Sequence, residues 1–258
     1  MKTLYIDCGM GAAGDMLTAA LLELLPDRDG FVEKLNEIGI PGVTFKPEKS
    51  VKCGVTGSHM SVTVDGEEEE SHDHHHHDHE HHHHHHHSSM HDIEHIVNDH
   101  MNVSEKVKKD VIAVYGLIAE AESHVHGVPV TEIHFHEVGT KDALADVTAV
   151  AMLMEELGVE KVYASPIHVG KGQVRCAHGI LPVPAPATAH ILQGIPSYGG
   201  SIEGELCTPT GAALVKYFAQ KYSQMPVLST EAIGYGLGTK EFAKANVIRI
   251  FYGSKVDM

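Results

Sequence analysis

The fold is set at the N-terminus by the stretch Leu4–Met16, which reads LYIDCGMGAAGDM. Leu4 to Cys8 form an apolar run typical of a short buried strand, and the glycine-rich turn that follows leads into a helix beginning near Asp15. Further along the chain, extended and helical patterns alternate and end in two C-terminal strands. This alternation predicts an α/β or α+β fold with a mixed sheet flanked by helices.

Charge and histidine are concentrated in one part of the 258-residue chain. Twelve of its 35 acidic residues lie between Cys53 and Glu105, an interval without Lys or Arg, and 13 of its 24 His lie between His72 and His87. We therefore predict one folded unit formed by residues 1–65 and 91–252, a disordered acidic and His-rich insertion at 66–90, and a tail at 253–258.

Composition excludes several classes of partner. A formal net charge of −16 argues against nucleic acid, and no stretch is long and apolar enough for a membrane span. Met1 leads almost directly into the first strand, without the apolar region of a signal peptide.

The four cysteines are far apart and form no CxxC pair. A cytoplasmic protein with reduced thiols is the simplest interpretation.

The His-rich insertion is a candidate metal-binding segment. Neutral imidazole binds Ni(II), Cu(II) and Zn(II), and the interspersed carboxylates add oxygen donors, but the composition alone does not select nickel. A solvated insertion without a ligand is the alternative. The candidate ligands are His74, His75, His76, His77, His79 and His81.

A second candidate metal or catalytic site begins in the segment EIHFHEVG at residues 132–139. In an extended chain His134 and His136 project from one face, with Glu137 beside them. Asp142 and Asp146 follow at helical i, i+4 spacing and are able to complete the site. The alternative is a pair of strand-edge histidines with surface acids.

The glycine-rich turn is the third candidate. A strand, a turn and a helix start direct backbone N–H groups at one place, which suits a phosphate at Gly11, Gly14 and Asp15. Asp7 and Asp15 are alternatively able to hold a divalent ion, and a purely structural turn is the plain explanation. Thr208 and Thr210 precede a helix, where their hydroxyls either cap its N-terminus or bind an anion.

Four segments in this order resemble the nickel-insertion proteins of nickel-pincer cofactor biosynthesis, the LarC family. They are residues 7–16 (DCGMGAAGDM), 119–146 (AEAESHVHGVPVTEIHFHEVGTKDALAD), 177–188 (AHGILPVPAPAT) and 205–213 (ELCTPTGAA). The resemblance extends from about Leu4 to Tyr252, and the internal His-rich run fits it as well.

The resemblance implies a nickel chelatase, a lyase that inserts Ni(II) into pyridinium-3,5-bisthiocarboxylic acid mononucleotide. It also implies use of CTP with manganese or magnesium, a product that serves lactate racemase, and a separate C-terminal domain as partner. A base must remove a ring proton as the carbon–nickel bond forms, and Glu137 and His178 are the candidates. A homo-oligomer is compatible with the sequence.

Two other functions remain open at this point. The first is a nickel storage or delivery protein that performs no chemistry on an organic ligand. The second is a divalent-metal-dependent phosphohydrolase built on Asp7, Asp15 and the histidine segment.

Overall fold

The computed structural model describes residues 1–68, 88–135, 140–176 and 179–256. The helices are α1 (Gly14–Leu22), α2 (Arg28–Asn36), α3 (Met90–His95), α4 (Glu105–His126), α5 (Lys141–Glu156), α6 (Pro186–Ile191) and α7 (Pro209–Phe218). A π-helical turn (Ile96–His100) continues α3, and a 3₁₀ turn (Val130–Glu132) follows α4.

The strands range from two to ten residues in length. They are β1 (Lys2–Asp7), β2 (Val43–Lys52), β3 (Val55–Val64), β4 (Glu67–Glu68), β5 (Lys161–Ala164), β6 (Ile167–His168), β7 (Gly170–Lys171), β8 (Gln173–Cys176), β9 (Gly179–Pro182), β10 (Ser197–Tyr198), β11 (Gly204–Glu205), β12 (Lys221–Tyr222), β13 (Leu228–Leu237) and β14 (Val247–Lys255).

The main sheet is mixed and has β1 near its centre. Its order is β12–β5–β1–β14–β13–β3–β2, and β4 pairs with β3. β1 runs parallel to β5 and antiparallel to β14, while β13 runs parallel to β3. The predicted mixed sheet with flanking helices is therefore confirmed.

Helix α1 packs directly on the backbone of β13. A Cβ at Gly234 would lie 1.8 Å from the carbonyl oxygen of Ala20, and one at Gly236 would lie 1.8 Å from that of Met16. Ile250 and Ile248 are paired with these glycines on β14 and are fully buried. This face of the sheet therefore forms the core, and the close approach fixes the start of α1 relative to the strands.

Several predicted boundaries differ from the structure. The sequence pattern predicts a last helix from Thr210 to Tyr222, but this helix ends at Phe218 because Lys221–Tyr222 pair with β5. The three prolines between Leu181 and Pro186 predict an irregular segment, but Leu181 and Pro182 pair with β8 in a hairpin. Pro182 is compatible with this hairpin because an edge strand tolerates a residue that has no N–H donor.

Residues at both ends of the predicted insertion, and part of the predicted tail, belong to regular elements or their caps in the described part of the chain. Glu67–Glu68 belong to β4, and the side chain of Ser89 caps α3 through the backbone N–H of Asp92. At the other end β14 extends to Lys255, three residues beyond the predicted limit. Residues 69–87, which include every predicted histidine ligand of the insertion, lie outside the described ranges. No helix within those ranges is both long and apolar enough to cross a bilayer.

Candidate active site

The turn between β1 and α1 is joined to the loop before α7 through backbone contacts. Ala12 donates its N–H to the carbonyl of Leu206 at 3.0 Å, and Thr208 donates its N–H to the carbonyl of Ala12 at 3.0 Å. Gly11 has φ +86°, and a Cβ there would lie 1.9 Å from the Leu206 carbonyl oxygen. Two segments almost 200 residues apart, singled out separately in the sequence, therefore meet at one place.

The threonines before α7 have structural contacts. The Thr208 hydroxyl accepts the N–H of Gly211 at 3.1 Å and so caps the helix, as the plain interpretation of the sequence expects. Thr210 is buried. Within the turn, Gly9 donates its N–H to the Asp7 carboxylate and Gly11 to the carbonyl of Cys8. Phosphate binding by Gly11, Gly14, Asp15, Thr208 and Thr210 stays a prediction, and the backbone N–H groups of Gly11 and Thr208 already donate to carbonyl oxygens.

An acidic cluster lies immediately beyond the turn. It consists of Asp15 in the first turn of α1 and of Asp142 and Asp146 on α5. Helix α5 passes so close to the turn that a Cβ at Gly14 would lie 2.7 Å from Asp146 Oδ2. The sequence predicted the pairing of Asp142 with Asp146, and the fold adds Asp15 to it.

The environment of the cluster raises the pKa of two of its carboxyl groups. Burial raises the pKa of Asp15, a neighbouring His59 opposes that rise, and Asp142 adds to it. Burial also raises the pKa of Asp146 well above its ordinary value, and the charges of Asp15 and Asp142 raise it further. The pKa of Tyr115 is raised well above its usual range by burial and then by the carboxylates of Asp142 and Asp146. Crowding of buried anions is the state that a bound cation relieves.

Two oxygens of the cluster lack partners. Asp142 Oδ1 and Asp146 Oδ1 are buried and form no hydrogen bond with any residue that the structure describes. Buried polar atoms are normally satisfied, and carboxylate oxygens are the ligands that Mg²⁺ and Mn²⁺ prefer, so the donor set fits a hard divalent ion. Across the described ranges, however, no group of three or more His, Cys, Asp or Glu side chains is arranged to hold a metal ion. The cluster is therefore a partial ligand set.

His59 adds a nitrogen base that the sequence did not single out. Its Nδ1 lies 3.0 Å from the carbonyl oxygen of Leu237 and 3.7 Å from Asp15 Oδ2. A carbonyl oxygen only accepts, so Nδ1 carries the proton and the lone pair of a neutral ring is on Nε2. The apolar alternation from Val43 to Val64 predicts extended structure around His59, but nothing local places it beside Asp15, 44 positions earlier.

The histidine segment is described only in part. Ile133 and Phe135 are buried and His134 is exposed, which agrees with the predicted alternation. Phe135 packs edge-on against Tyr115, with ring centroids 5.7 Å apart. The pKa of Asp92 is lowered chiefly by hydrogen bonds from Ser89, with a smaller contribution from His134, so His134 lies within electrostatic reach of α3.

The remaining predicted residues divide into two groups. His136, Glu137 and His178 lie outside the described residues, so their metal-binding and catalytic roles stay predictions. Asp7 is described, and its carboxylate forms an ion pair with Arg249. No contact joins Asp7 to Asp15 among the interactions observed, so a shared divalent ion at these two residues also stays a prediction.

A second histidine overlooked in the sequence supports the turn. His168 is buried, with Nδ1 at 2.9 Å from the carbonyl oxygen of Gly9 and Nε2 at 3.1 Å from that of Gly199. Its ring stacks on Tyr198 with centroids 4.7 Å apart. His168 therefore fixes the start of the turn.

Comparison of the chain with known proteins identifies its family. A family model described as nickel insertion protein matches residues 4–258. The chain belongs to the nickel insertion protein family. The sequence resemblance is thereby confirmed. No solved structure matches the chain.

Curated relatives of this nickel insertion family match almost the whole chain. A putative nickel insertion protein of Dictyoglomus thermophilum is 39% identical over 257 residues, covering 100% of this chain and 62% of the relative. The pyridinium-3,5-bisthiocarboxylic acid mononucleotide nickel insertion protein of Clostridium kluyveri is 40% identical, covering 99% and 63%. The protein of the same name from Geobacillus kaustophilus is 38% identical, covering 99% and 60%. The chain thus spans about three fifths of the length of these relatives.

Proposed function

We propose that this chain takes part in inserting Ni(II) into pyridinium-3,5-bisthiocarboxylic acid mononucleotide. The family assignment and the names of its relatives support nickel insertion. The relatives are longer than this chain, which is compatible with the further C-terminal domain that the resemblance implies. The structural observation that carries the proposal is the pair of buried, unpartnered oxygens on Asp142 and Asp146. In this proposal they help to hold the nickel ion beside the substrate.

An incomplete ligand set suits a metal that must be passed on. A closed tetrahedral or octahedral site retains its ion, whereas an open site leaves coordination positions for a substrate. Here Asp15, Asp142 and Asp146 provide oxygen donors, and the two thiocarboxylate groups of the substrate provide sulfur. Because sulfur is the softer ligand for nickel, transfer from carboxylate to substrate is favourable. His134 and His136 remain proposed nitrogen ligands.

The reaction also moves a proton. As Ni(II) bonds to the ring carbon between the two thiocarboxylates, that carbon releases its hydrogen as a proton, and a base of the protein accepts it. Glu137 and His178 remain the proposed bases. The resemblance further suggests CTP with manganese or magnesium, classification as a lyase, and delivery of the product to lactate racemase. We include these as parts of the proposal.

The His-rich residues of the insertion have a separate proposed role. His74, His75, His76, His77, His79 and His81 collect Ni(II) and raise its local concentration. Removal of residues 69–87 should therefore raise the nickel concentration required for half-maximal insertion and leave the rate at saturating nickel unchanged.

The deciding experiment combines the chain, Ni(II), CTP, Mg²⁺ or Mn²⁺ and the bisthiocarboxylate mononucleotide, with and without the C-terminal part of a family member. Formation of the metallated product is followed by mass spectrometry and absorbance. The double variant Asp142→Asn, Asp146→Asn should lose most of the product. Glu156→Gln, which removes a carboxylate from the other end of α5, is the matched control and should retain it.

The alternatives give different results in the same assay. A storage or delivery protein binds nickel and forms no metallated product under any of these conditions. A phosphohydrolase releases phosphate from simple nucleotides without nickel. Full insertion by the double variant would contradict the role proposed for the carboxylates.

A further inference from the structure

A cleft of about 530 Å³ opens beside the first half of the turn, apart from the acidic cluster. Its lining includes Asp7, Gly9, Met10, Thr56, Tyr235 and Arg249. None of these residues except Asp7 was singled out from the sequence for binding. Of the described residues that line the cleft, Arg249 is the one cation.

Three of the polar side chains that line the cleft form a row across three neighbouring strands. Asp7 on β1 is paired with Arg249 on β14, and Arg249 is paired with Tyr235 on β13. Side chains at paired positions share one face of a sheet. Gly236 and Ile250, the neighbours of this row, face α1 and the core, so the row lies on the opposite face.

The Arg249 guanidinium is held from two directions. Its Nε and Nη2 both donate to Oδ2 of Asp7, with the Nε bond at 3.0 Å. Its centre lies 5.4 Å from the ring centroid of Phe251, two residues further along the same face. A guanidinium held in this way loses little conformational freedom when it binds a ligand.

The ion pair leaves most of the guanidinium available. Arginine has five N–H donors, and the two bonds to Asp7 use two of them. Three donors remain, and about half of the side chain is exposed. Planar guanidinium donors match phosphate oxygens in geometry and charge, so the cleft has the chemistry of an anion site.

The turn itself offers fewer donors to an anion. The N–H groups of Gly9, Gly11 and Ala12 donate to Asp7, to the carbonyl of Cys8 and to the carbonyl of Leu206, respectively. Arg249 is therefore the better-placed group for a phosphate near the turn. Met10 lines the cleft, and Gly14 contacts Asp146 of the acidic cluster. The Cα atoms of Met10 and Gly14 are four peptide units apart, which is a distance of at most about 15 Å.

We propose that Arg249, oriented by Asp7 and Phe251, binds the phosphate of the mononucleotide substrate in this cleft. This inference rests on the proposed function, since it takes its substrate class from it. A nucleotide bound by its phosphate at Arg249 lies along the turn whose far end contacts the acidic cluster. Arg249 thereby sets specificity for the phosphorylated substrate over the corresponding riboside.

Two probes separate phosphate from carboxylate recognition. Nicotinamide mononucleotide has a phosphate and no ring carboxylate, whereas nicotinic acid riboside has a ring carboxylate and no phosphate. In calorimetric titrations, Arg249→Gln should weaken binding of the mononucleotide about 10- to 100-fold and leave that of the riboside unchanged. Arg28→Gln removes the same charge from α2, away from the cleft, and should bind the mononucleotide as the wild type does.

The outcomes that overturn the proposal are definite. They are no measurable binding of the mononucleotide by the wild type, equal affinity in Arg249→Gln, or a loss of affinity confined to the riboside. Thermal melting checks that the variant is folded. If Arg249→Gln does not fold, Arg249→Lys keeps the charge without the planar fork and should weaken binding about three- to tenfold.

Insertion kinetics separate this proposal from the proposed function. Arg249→Gln should raise KM for the bisthiocarboxylate mononucleotide and leave kcat nearly unchanged, because the phosphate is remote from the reacting carbon. If Arg249→Gln inserts nickel with an unchanged KM, the role of Arg249 is refuted and the proposed function is not. If mononucleotide binding depends on Arg249 but the chain forms no product, the proposed function is refuted and the role of Arg249 in binding is not.

Discussion

Gly14 and Asp146 are in such close contact that a single Cβ at Gly14 would lie 2.7 Å from both Cβ and Oδ2 of Asp146. The contact joins the first turn of α1 to the middle of α5 and brings Asp15 to the two aspartates of α5. The arrangement of the candidate site therefore depends on a residue that has no side chain.

Gly14→Ala should displace Asp146 and impair the acidic cluster. We expect the free energy of unfolding to fall by about 1–3 kcal/mol, as for overpacking of a core, together with a loss of nickel insertion. Gly116→Ala is the control, since no atom of the described residues lies within 4 Å of a Cβ at that position of α4. It should stabilise the protein by about 0.5–1 kcal/mol. Equal denaturation midpoints for both variants would contradict the tight contact.

The acidic cluster should make the metal-free protein less stable as the pH rises. Burial raises the native-state pKa of Asp146 and of Asp15 above the value of about 4 for an unfolded carboxyl group. Between the two values the native state binds more protons than the unfolded state, so the free energy of unfolding decreases with increasing pH. Urea denaturation in EDTA from pH 4.5 to 7.5 measures the slope.

Asp146→Asn should flatten this dependence, because one of the two raised pKa values disappears. Glu156→Gln should leave the slope unchanged. Parallel curves for wild type and Asp146→Asn would show that Asp146 does not titrate as described.

A divalent ion should reverse the destabilisation. In a variant lacking residues 69–87, which removes the competing histidine ligands, Ni²⁺ or Mn²⁺ at 100 times its Kd should increase the free energy of unfolding by about 2.7 kcal/mol. The added substitutions Asp142→Asn and Asp146→Asn should abolish the increase. Thermal melting with and without EDTA provides the measurement, and an undiminished increase in the substituted variant would place the ion elsewhere.

Thr208→Val should destabilise the protein by about 1 kcal/mol, because it removes the hydroxyl that caps α7. Thr208→Ser retains the hydroxyl and should cost only a few tenths of that. If both variants are as stable as the wild type and Thr208→Val raises KM for the mononucleotide, the hydroxyl contacts substrate as the sequence alternative predicted.

Local sequence patterns were sufficient for the fold and for part of the site. The run of apolar residues from Leu4 and the following glycines predicted β1, the turn and α1, because strand and turn preferences act over a few neighbouring residues. The i, i+4 spacing of Asp142 and Asp146 predicted that they share one face of α5. Both features depend only on local geometry.

The rest of the site depends on contacts between distant segments. His59 reaches Asp15 through the packing of α1 on the sheet, and Arg249 reaches Asp7 through the pairing of the last long strand with the first. In sequence His59 and Arg249 are polar residues within strands that carry other polar residues as well. No local spacing distinguishes such residues from ordinary surface positions.

The backbone connection between Ala12 and the loop at Leu206–Thr208 restricts how the turn can vary in length. One added or deleted residue would bring another residue against the Leu206 carbonyl, where a Cβ would lie 1.9 Å from the oxygen, and it would separate Gly14 from Asp146. Substitutions on the surface of the turn are a milder change than a change of length. The turn therefore acts as a spacer of fixed length between the cleft at its start and the acidic cluster at its end, much as a rigid linker sets the distance between two domains.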